Sequence, residues 1–157
     1  AATRKNYVDY LAHRPRVEKI GEHGLFTDEG EPVVLGQVQN QVADHKGIVW
    51  THVISLRRED AARLGYDSAV QWMALLRSKR AMLCKHMKID SANLKWYAAF
   101  HNESHHPHVH LLVYSVKDGE GYLTKQSIEA MRSELAHDIF RQDFANIYEE
   151  QAQSRMD

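Results

Sequence analysis

The pattern of hydrophobic and polar positions predicts two helices in the first third of the chain. Apolar residues recur at spacings of three and four over residues 6–13, which predicts a helix that Pro15 limits. A weaker helical spacing covers residues 33–44 and is broken at Gly47. Between these helices, the turn-rich segment 21–32 predicts a loop or a short hairpin.

Three later segments are rich in the β-branched and aromatic residues that favour strands. They are residues 48–56, which we expect to form a buried strand, and residues 94–101 and 108–115. Because a short loop joins the last two segments, we expect them to pair as antiparallel neighbours.

Helical spacing returns between and after these strands. It predicts a short helix over residues 58–64, a longer one over about residues 68–87, and a final helix over residues 124–153 that Thr124 caps. The expected core positions are Val70, Met73, Leu76, Leu83, Ile128, Met131, Leu135, Ile139, Phe140 and Ile147. This order of elements predicts an α+β fold in which helices pack on an antiparallel sheet.

Length and composition exclude several classes of protein. With 157 residues, 43% of them hydrophobic and 26% charged, the chain has the composition of one globular domain. It has no apolar run near the roughly 20 residues of a membrane span, and its N-terminus does not read as a secretory signal. The single cysteine, Cys84, cannot form an internal disulfide, so we expect a reducing, cytoplasmic compartment.

The formal net charge of −1 hides an uneven distribution. Acidic residues outnumber basic ones after residue 117, and the preceding part of the chain is net positive. Its basic residues form two clusters: Arg4, Lys5, Arg14, Arg16 and Lys19, and then Arg77, Lys79, Arg80, Lys85 and Lys88. Such clusters are typical of solvated helix faces, but a local basic surface also attracts phosphate groups.

Five histidines fall within the ten residues HNESHHPHVH around the predicted hairpin. Side chains alternate along a strand, so His108 and His110 point to the same face. His101 ends the preceding strand, and hairpin pairing brings it close to them. Three converging imidazoles suit one divalent metal with open coordination positions, whereas His105 and His106 are expected to be exposed in the loop.

Two tyrosines near the N-terminus provide a candidate nucleophile. Tyr7 and Tyr10 are three residues apart, so on a helix they share roughly one face. A tyrosine hydroxyl can attack phosphate and form a covalent ester, and the neighbouring cations favour its phenolate form. The alternative is structural, with one of the two tyrosines facing the core.

The histidine pattern resembles the metal motif of HUH-type plasmid mobilisation relaxases. In that motif a histidine is followed, after six residues, by a histidine-hydrophobic-histidine triplet with a proline just before it. The matching positions in this sequence are His101, Pro107, His108, Val109 and His110.

The N-terminal segment NYVDYLAHRP resembles the tyrosine motif of MobP-type relaxases, in which an aliphatic residue follows the tyrosine. Tyr10 fits this motif better than Tyr7, and Arg14 lies one helical turn further on. The segments GLFTDEGEP, VWTHVISLRREDA and LKWYAAFHNESHHPHVHLLVYS are similar to the MobL subgroup in particular. The resemblance therefore spans nearly the whole chain.

This resemblance implies a fold and an activity. The fold is a five-stranded antiparallel sheet flanked by helices. The activity is site- and strand-specific nicking and rejoining of DNA at a plasmid or mobile-element transfer origin, through a 5′-phosphotyrosyl link and a free 3′-hydroxyl. We expect residues 1–157 to be the nicking domain, as the N-terminal catalytic part of a longer protein in the bacterial cytoplasm.

The same resemblance implies one divalent ion (Mn²⁺, Mg²⁺ or Zn²⁺), a single-stranded or locally melted DNA substrate, and accessory transfer proteins as partners. A single-stranded substrate requires a cationic groove. The basic residues expected to contact its phosphates are Arg4, Arg14, Arg57, Arg58, Lys79 and Arg80.

Two alternatives remain open at this point. In HUH replication initiators and single-tyrosine transposases the nucleophile follows the histidine motif, and Tyr122 or Tyr148 is then the candidate. A non-catalytic, histidine-rich metal-binding module is the second alternative. It predicts a closed site with His105 or His106 as the fourth ligand.

Overall fold

Helices and strands alternate along the chain in the computed structural model, which describes residues 2–143. The helices are α1 (Ala2–His13), α2 (Leu35–Asp44), α3 (Arg58–Leu64), α4 (Ala69–Ser78), α5 (Arg80–Met87) and α6 (Lys125–Ile139). The strands are β1 (Trp50–Ser55), β2 (Leu94–His101) and β3 (His108–Ser115). The two strands of the predicted hairpin, β2 and β3, have the bounds that the sequence predicts.

The three strands form one antiparallel sheet in the order β1-β3-β2. The register of the central pair places His101 opposite His108 and Ala99 opposite His110. Because paired residues point to the same face of a sheet, the three histidines share one face. The hairpin alone therefore brings the triad together.

The sheet has three strands in the part of the chain that the structure describes, not the five that the resemblance implies. The segment 17–26 touches the free edge of β2 through Val17 and Phe26, each forming an isolated bridge. Between these bridges the chain turns at Gly21, whose φ of +81° suits glycine. The turn prevents a continuous ladder, so the predicted kind of fold is confirmed with a smaller sheet.

Helices cover both faces of the sheet and make two cores. Phe100 and Val109 belong to the core that packs on α4, α5 and α6. On the opposite face, Leu11 of α1 and Val42 of α2 pack with Leu112 of β3. Since the histidines share the second face, α1 is the helix nearest to them in the fold.

β1 is an edge strand and not the buried strand that its composition predicts. Its residues alternate between partly buried and exposed, and Val53 is 60% exposed. The core beneath α1 and α2 includes no residue of β1, so one face of this strand stays open. A β-branched segment therefore indicated a strand correctly, but not its burial.

The helix predicted over residues 68–87 is in fact two helices, α4 and α5, which meet at Lys79. The backbone of Lys79 leaves helical geometry, with φ −102° and ψ 12°. The register of α4 buries Trp72 completely and leaves Val70, an expected core residue, 65% exposed. The difference arises because α4 turns its Trp72 side, not its Val70 side, to the sheet.

Two helices obtain side-chain caps in different ways. Thr124 caps α6 as predicted, because its hydroxyl oxygen accepts a hydrogen bond from the Ser127 N–H at 3.0 Å. α4 is capped from a distant part of the chain, since the Ala69 N–H donates to Oε1 of Glu18 at 2.8 Å. Ser68 occupies the N-cap position of α4 without a side-chain hydrogen bond to the helix.

Along α6, Met131 and Ile139 are buried as predicted, whereas Ile128 is 39% exposed. The predicted continuation of this helix, with Ile147 and Tyr148, lies outside the described residues.

None of the helices between residues 2 and 143 has the length and apolar character that a membrane crossing requires.

Candidate active site

The three predicted histidines converge at one end of the β2–β3 hairpin. The ring centroids of His101 and His110 are 4.7 Å apart, and those of His108 and His110 are 4.9 Å apart. One ring nitrogen of each histidine lies within 4.8 Å of the other two. Among the histidines, cysteines and carboxylates of the described residues, these three form a group that could hold a metal ion.

Main-chain carbonyl groups set the protonation of two of these imidazoles. Nε2 of His101 lies 3.1 Å from the carbonyl oxygen of Leu11, and Nδ1 of His108 lies 3.0 Å from that of His106. Because a carbonyl oxygen only accepts, both of these ring nitrogens carry the proton and donate it. The lone pairs are then on Nδ1 of His101 and Nε2 of His108, as in imidazoles oriented for a metal.

His110 differs from the other two, because both of its ring nitrogens are buried without a hydrogen-bond partner among residues 2–143. Nδ1 of His101 is buried and unpartnered as well. Buried polar atoms without a partner are costly, and a bound cation would satisfy these nitrogens. The donor set therefore fits a divalent metal that accepts imidazole ligands.

Burial also favours the neutral form of His101 and His110, which is the form that binds metal. Burial, and to a smaller extent the neighbouring His101, His108 and Arg14, together lower the pKa of His110 to about 4. Burial lowers the pKa of His101 too, against the opposing effect of its bond to the Leu11 carbonyl. Neither imidazole needs to lose a proton before it can serve as a ligand at neutral pH.

The N-terminal helix α1 presents its two tyrosines differently. Tyr10 is 46% exposed, whereas Tyr7 is half-buried against the core beneath α1 and α2. Burial raises the pKa of Tyr7, and Tyr10 adds to that effect. The guanidinium carbon of Arg14 lies 5.3 Å from the centroid of the Tyr10 ring. Tyr10 therefore combines an accessible ring with an adjacent cation.

Arg14 and Arg16 follow α1 and flank one carboxylate. A guanidinium nitrogen of Arg14 lies 3.6 Å from Oε1 of Glu103, and Nε of Arg16 lies 4.0 Å from Oε2. Arg4, at the start of the same helix, instead donates to the carbonyl oxygens of His45 and Gly47. It thereby ties α1 to the end of α2.

Arg58 is built into the loop that joins the histidine strands. Its guanidinium donates to Oδ1 of Asn102 at 2.7 Å, to the Ser104 carbonyl oxygen at 3.1 Å, and to the Glu103 carbonyl oxygen. The Arg58 N–H donates to the carbonyl oxygen of His105 at 3.0 Å. The neighbouring side chain of Arg57 is 72% exposed and pairs with Asp60 on its own helix.

Lys79 and Arg80 lie in the helical layer on the other face of the sheet. Lys79 forms ion pairs with Asp138 and, at 3.7 Å, with Glu134 of α6. Arg80 forms an ion pair with Asp28 and donates to the carbonyl oxygen of Ser91. The structure thus gives both cations intramolecular partners and does not bring them to the histidine face.

The residues of the alternative mechanisms have other surroundings. His105 and His106 are exposed and outside the convergent metal group of the described residues. Tyr122 is 56% exposed, and its N–H donates to the Met87 carbonyl oxygen at the end of α5. Tyr148 lies outside the described residues.

Two roles were missed in the sequence. The Leu11 carbonyl oxygen orients His101, and the side chain of Arg58 holds the histidine loop. A main-chain contact of this kind leaves no sequence signal. The sequence predicts Arg58 as a cation for phosphate, and no local pattern indicates that its partners include the carbonyl oxygens of residues 103 and 104.

Comparison with known proteins identifies one family. A family model described as MobL relaxases matches residues 4–157, which is nearly the whole chain. Searches of curated proteins and of solved structures gave no match.

Proposed function

Because the chain belongs to the MobL relaxases, which nick DNA for plasmid mobilisation, we propose that it cuts one strand by transesterification on a tyrosine. The tyrosine hydroxyl gives up its proton, its oxygen attacks the scissile phosphorus, and the bond from phosphorus to the 3′ oxygen breaks. The departing 3′ oxygen takes up a proton and becomes a free hydroxyl. One phosphodiester replaces another, so the reverse attack by this hydroxyl rejoins the strand.

The observation that carries this proposal is the proximity of α1 to the three histidines. The Leu11 carbonyl oxygen accepts a hydrogen bond from His101, and Tyr10 is the residue before Leu11. Arg14 lies over the Tyr10 ring and also lowers the pKa of His110 through its charge. These contacts support a single site that combines a nucleophile, a cation and a donor set for a metal.

His101, His108 and His110 would hold the metal through Nδ1, Nε2 and a ring nitrogen, respectively. A divalent ion bound there supplies a Lewis acid for a non-bridging phosphate oxygen. Arg14 provides a second positive charge, which favours the negative charge that develops on the phosphate during attack. The chain's own contribution is to place this charge beside the tyrosine.

Tyr10 is the better nucleophile of the two tyrosines. Its ring is more exposed than that of Tyr7, and the guanidinium carbon of Arg14 lies 5.3 Å from its centroid. The raised pKa of the half-buried Tyr7 opposes formation of its phenolate. Tyr7 lies with its ring centroid 6.5 Å from that of Tyr10, so it packs beneath the nucleophile.

The substrate that this site requires is single-stranded or locally melted DNA of a transfer origin, as the family implies. The attacked phosphate must reach Tyr10 and the histidines at the same time, which a paired and stacked strand resists. Phosphate contacts release counterions, so affinity should decrease steeply with salt.

The experiment that tests this proposal follows both ends of a cut oligonucleotide that contains the transfer origin. With a label at the 3′ end, the label should migrate with the protein on a denaturing gel. With a label at the 5′ end, it should appear in a shorter free strand that a polymerase can extend. Free labelled strand from both substrates, with no covalent adduct, would indicate hydrolysis and contradict a tyrosine nucleophile.

A further inference from the structure

A carboxylate lies between the two arginines that follow the tyrosine helix. Oε1 of Glu103 faces Arg14 at 3.6 Å, and Oε2 faces Arg16 at 4.0 Å. Charge-assisted hydrogen bonds between such groups are shorter, at about 2.7–2.9 Å. Glu103 therefore pairs with both guanidinium groups by charge and leaves their N–H donors available for a closer ligand.

This carboxylate stands beside the proposed chemistry. Glu103 is two residues after His101, and its partner Arg14 lies over the Tyr10 ring. The side chain of Glu103 is 29% exposed, and those of Arg14 and Arg16 are 30% and 57% exposed. A ligand from solvent can therefore reach the pair of arginines that now face the carboxylate.

A hydrogen bond fixes the main chain of Glu103, whereas its carboxylate has the two longer ion pairs with Arg14 and Arg16. Arg58 donates to the carbonyl oxygen of Glu103 and, at 3.1 Å, to that of Ser104. The carboxylate can leave the arginines by rotating about its own side-chain bonds, without any movement of the loop. The histidines at both ends of this loop keep their places during such an exchange.

From this geometry we infer that Arg14 and Arg16 form a binding site for one backbone phosphodiester of DNA, and that Glu103 occupies this site until DNA displaces it. The inference rests on the proposed function, because the ligand is the substrate strand. A phosphodiester resembles the carboxylate in carrying one negative charge and two terminal oxygens. The exchange preserves the charge balance around Tyr10, and the incoming oxygens can accept the hydrogen bonds that Glu103 does not.

The consequence is that Glu103 competes with substrate. A strand must compensate for the loss of two ion pairs before it gains its contacts with Arg14 and Arg16. Removal of the negative charge at Glu103 should therefore strengthen DNA binding. A carboxylate that only positioned the arginines would have the opposite effect.

The test compares Glu103→Gln with Glu134→Gln, because both remove one negative charge and keep the side-chain shape. Glu134 pairs with Lys79 on the other face of the sheet. Binding is measured by fluorescence anisotropy with a single-stranded oligonucleotide of mixed sequence without a transfer origin. Binding through backbone phosphates does not depend on the base sequence. Because the probe has no transfer origin, we expect it to be bound without being cut.

At about 50 mM salt, Glu103→Gln should bind the probe roughly three- to tenfold more tightly than wild type, with a steeper salt dependence. Glu134→Gln should remain within about twofold of wild type, since salt screens a distant charge. Adding Arg14→Gln to Glu103→Gln should abolish the gain. Thermal unfolding checks that each variant is folded.

Weaker or unchanged binding by a folded Glu103→Gln protein would overturn the inference, as would an equal gain in Glu134→Gln. The covalent adduct of the wild-type protein separates this outcome from failure of the proposed function. If wild type forms the adduct and Glu103→Gln gains nothing, only the phosphate site is wrong. If Glu103→Gln gains affinity and wild type forms no adduct, the site stands and the nicking mechanism fails.

Discussion

Leu11 and His101 are joined by a hydrogen bond of 3.1 Å, from Nε2 of the imidazole to the carbonyl oxygen of the helix residue. This bond fixes which nitrogen of His101 is free for a metal, and it links the triad to the helix of Tyr10. Mutating a ligand at one end can therefore disturb the nucleophile at the other end.

The clearest test of metal binding is His110→Ala. Within the described part of the chain, neither ring nitrogen of His110 has a hydrogen-bond partner, so this change removes a proposed ligand without breaking a hydrogen bond there. His101→Ala also leaves the Leu11 carbonyl oxygen unpaired. We expect His110→Ala to fold and to lose metal binding.

Thermal unfolding with and without Mn²⁺ or Zn²⁺ measures this effect. A ligand at about 100 times its Kd stabilises the wild-type protein by about 2.7 kcal/mol. The melting temperature of His110→Ala should not respond to the ion. An undiminished response would exclude His110 as a ligand, and the same assay on His105→Ala, an exposed loop histidine, provides the control.

The tyrosine assignment is tested by removing single hydroxyl groups. Tyr10→Phe should abolish the covalent adduct and preserve binding of metal and DNA, because the ring and its contact with Arg14 remain. Tyr7→Phe should retain the adduct, because its ring is half-buried against the core beneath α1 and α2.

The reverse result for these two variants would transfer the nucleophile to Tyr7 and leave the mechanism unchanged. An adduct that persists in the double variant would eliminate both residues. Tyr122→Phe would then be the next variant to examine, as the mechanism of the replication initiators implies.

Arg58→Lys tests whether the loop between β2 and β3 sets the metal site. A lysine has one ammonium group and cannot span the three acceptors on residues 102, 103 and 104 that the planar guanidinium reaches. Loss of such an outer contact typically lowers metal affinity about 10- to 100-fold. We expect a decrease at the lower end of this range.

Arg63→Lys is the matched control, because Arg63 is on the same helix and pairs with Asp60 and Asp143 at the surface. Isothermal titration with Mn²⁺ compares the two variants. Equal metal affinity in Arg58→Lys and wild type would show that the loop keeps its conformation without the guanidinium.

Local patterns predicted the elements that local interactions form. The β-branched and aromatic runs of β2 and β3 gave their bounds, and strand alternation placed His108 and His110 on one face with His101. The kind of fold followed from the order of these elements. The convergence of the triad could be predicted because the hairpin that creates it is short.

Contacts between distant segments could not be predicted in the same way. Glu18 caps α4 from 51 residues away, and Lys79 breaks a helix where its ammonium group meets Asp138 of α6. The sequence contains both partners, but no local period connects them. For the same reason the sequence did not show that Lys79 and Arg80 have acidic partners within the chain.

Lys79 has a role that the sequence suggests is DNA binding and the structure suggests is stability. Its side chain is 16% exposed, and it pairs with Asp138, whose side chain is 14% exposed. Asp138 keeps Arg141 as a partner at 3.2 Å when Lys79 is replaced. We therefore expect Lys79→Met to lower the free energy of unfolding by about 1 kcal/mol at pH 7, with unchanged affinity for single-stranded DNA.

The pH dependence of the stability difference tests whether the pair of Lys79 and Asp138 causes it. The hydrogen bond from Lys79 holds the pKa of Asp138 below its ordinary value of 3.8. A carboxyl group with a depressed pKa stabilises the folded state above its unfolded pKa, and this contribution is lost as the pH falls through the folded pKa. The stability difference between wild type and Lys79→Met should therefore be constant from pH 7 to about 5 and should shrink below about pH 4. Denaturant unfolding at each pH measures it. A several-fold loss of salt-sensitive DNA binding with full stability would instead show that the surface around Lys79 contacts the strand.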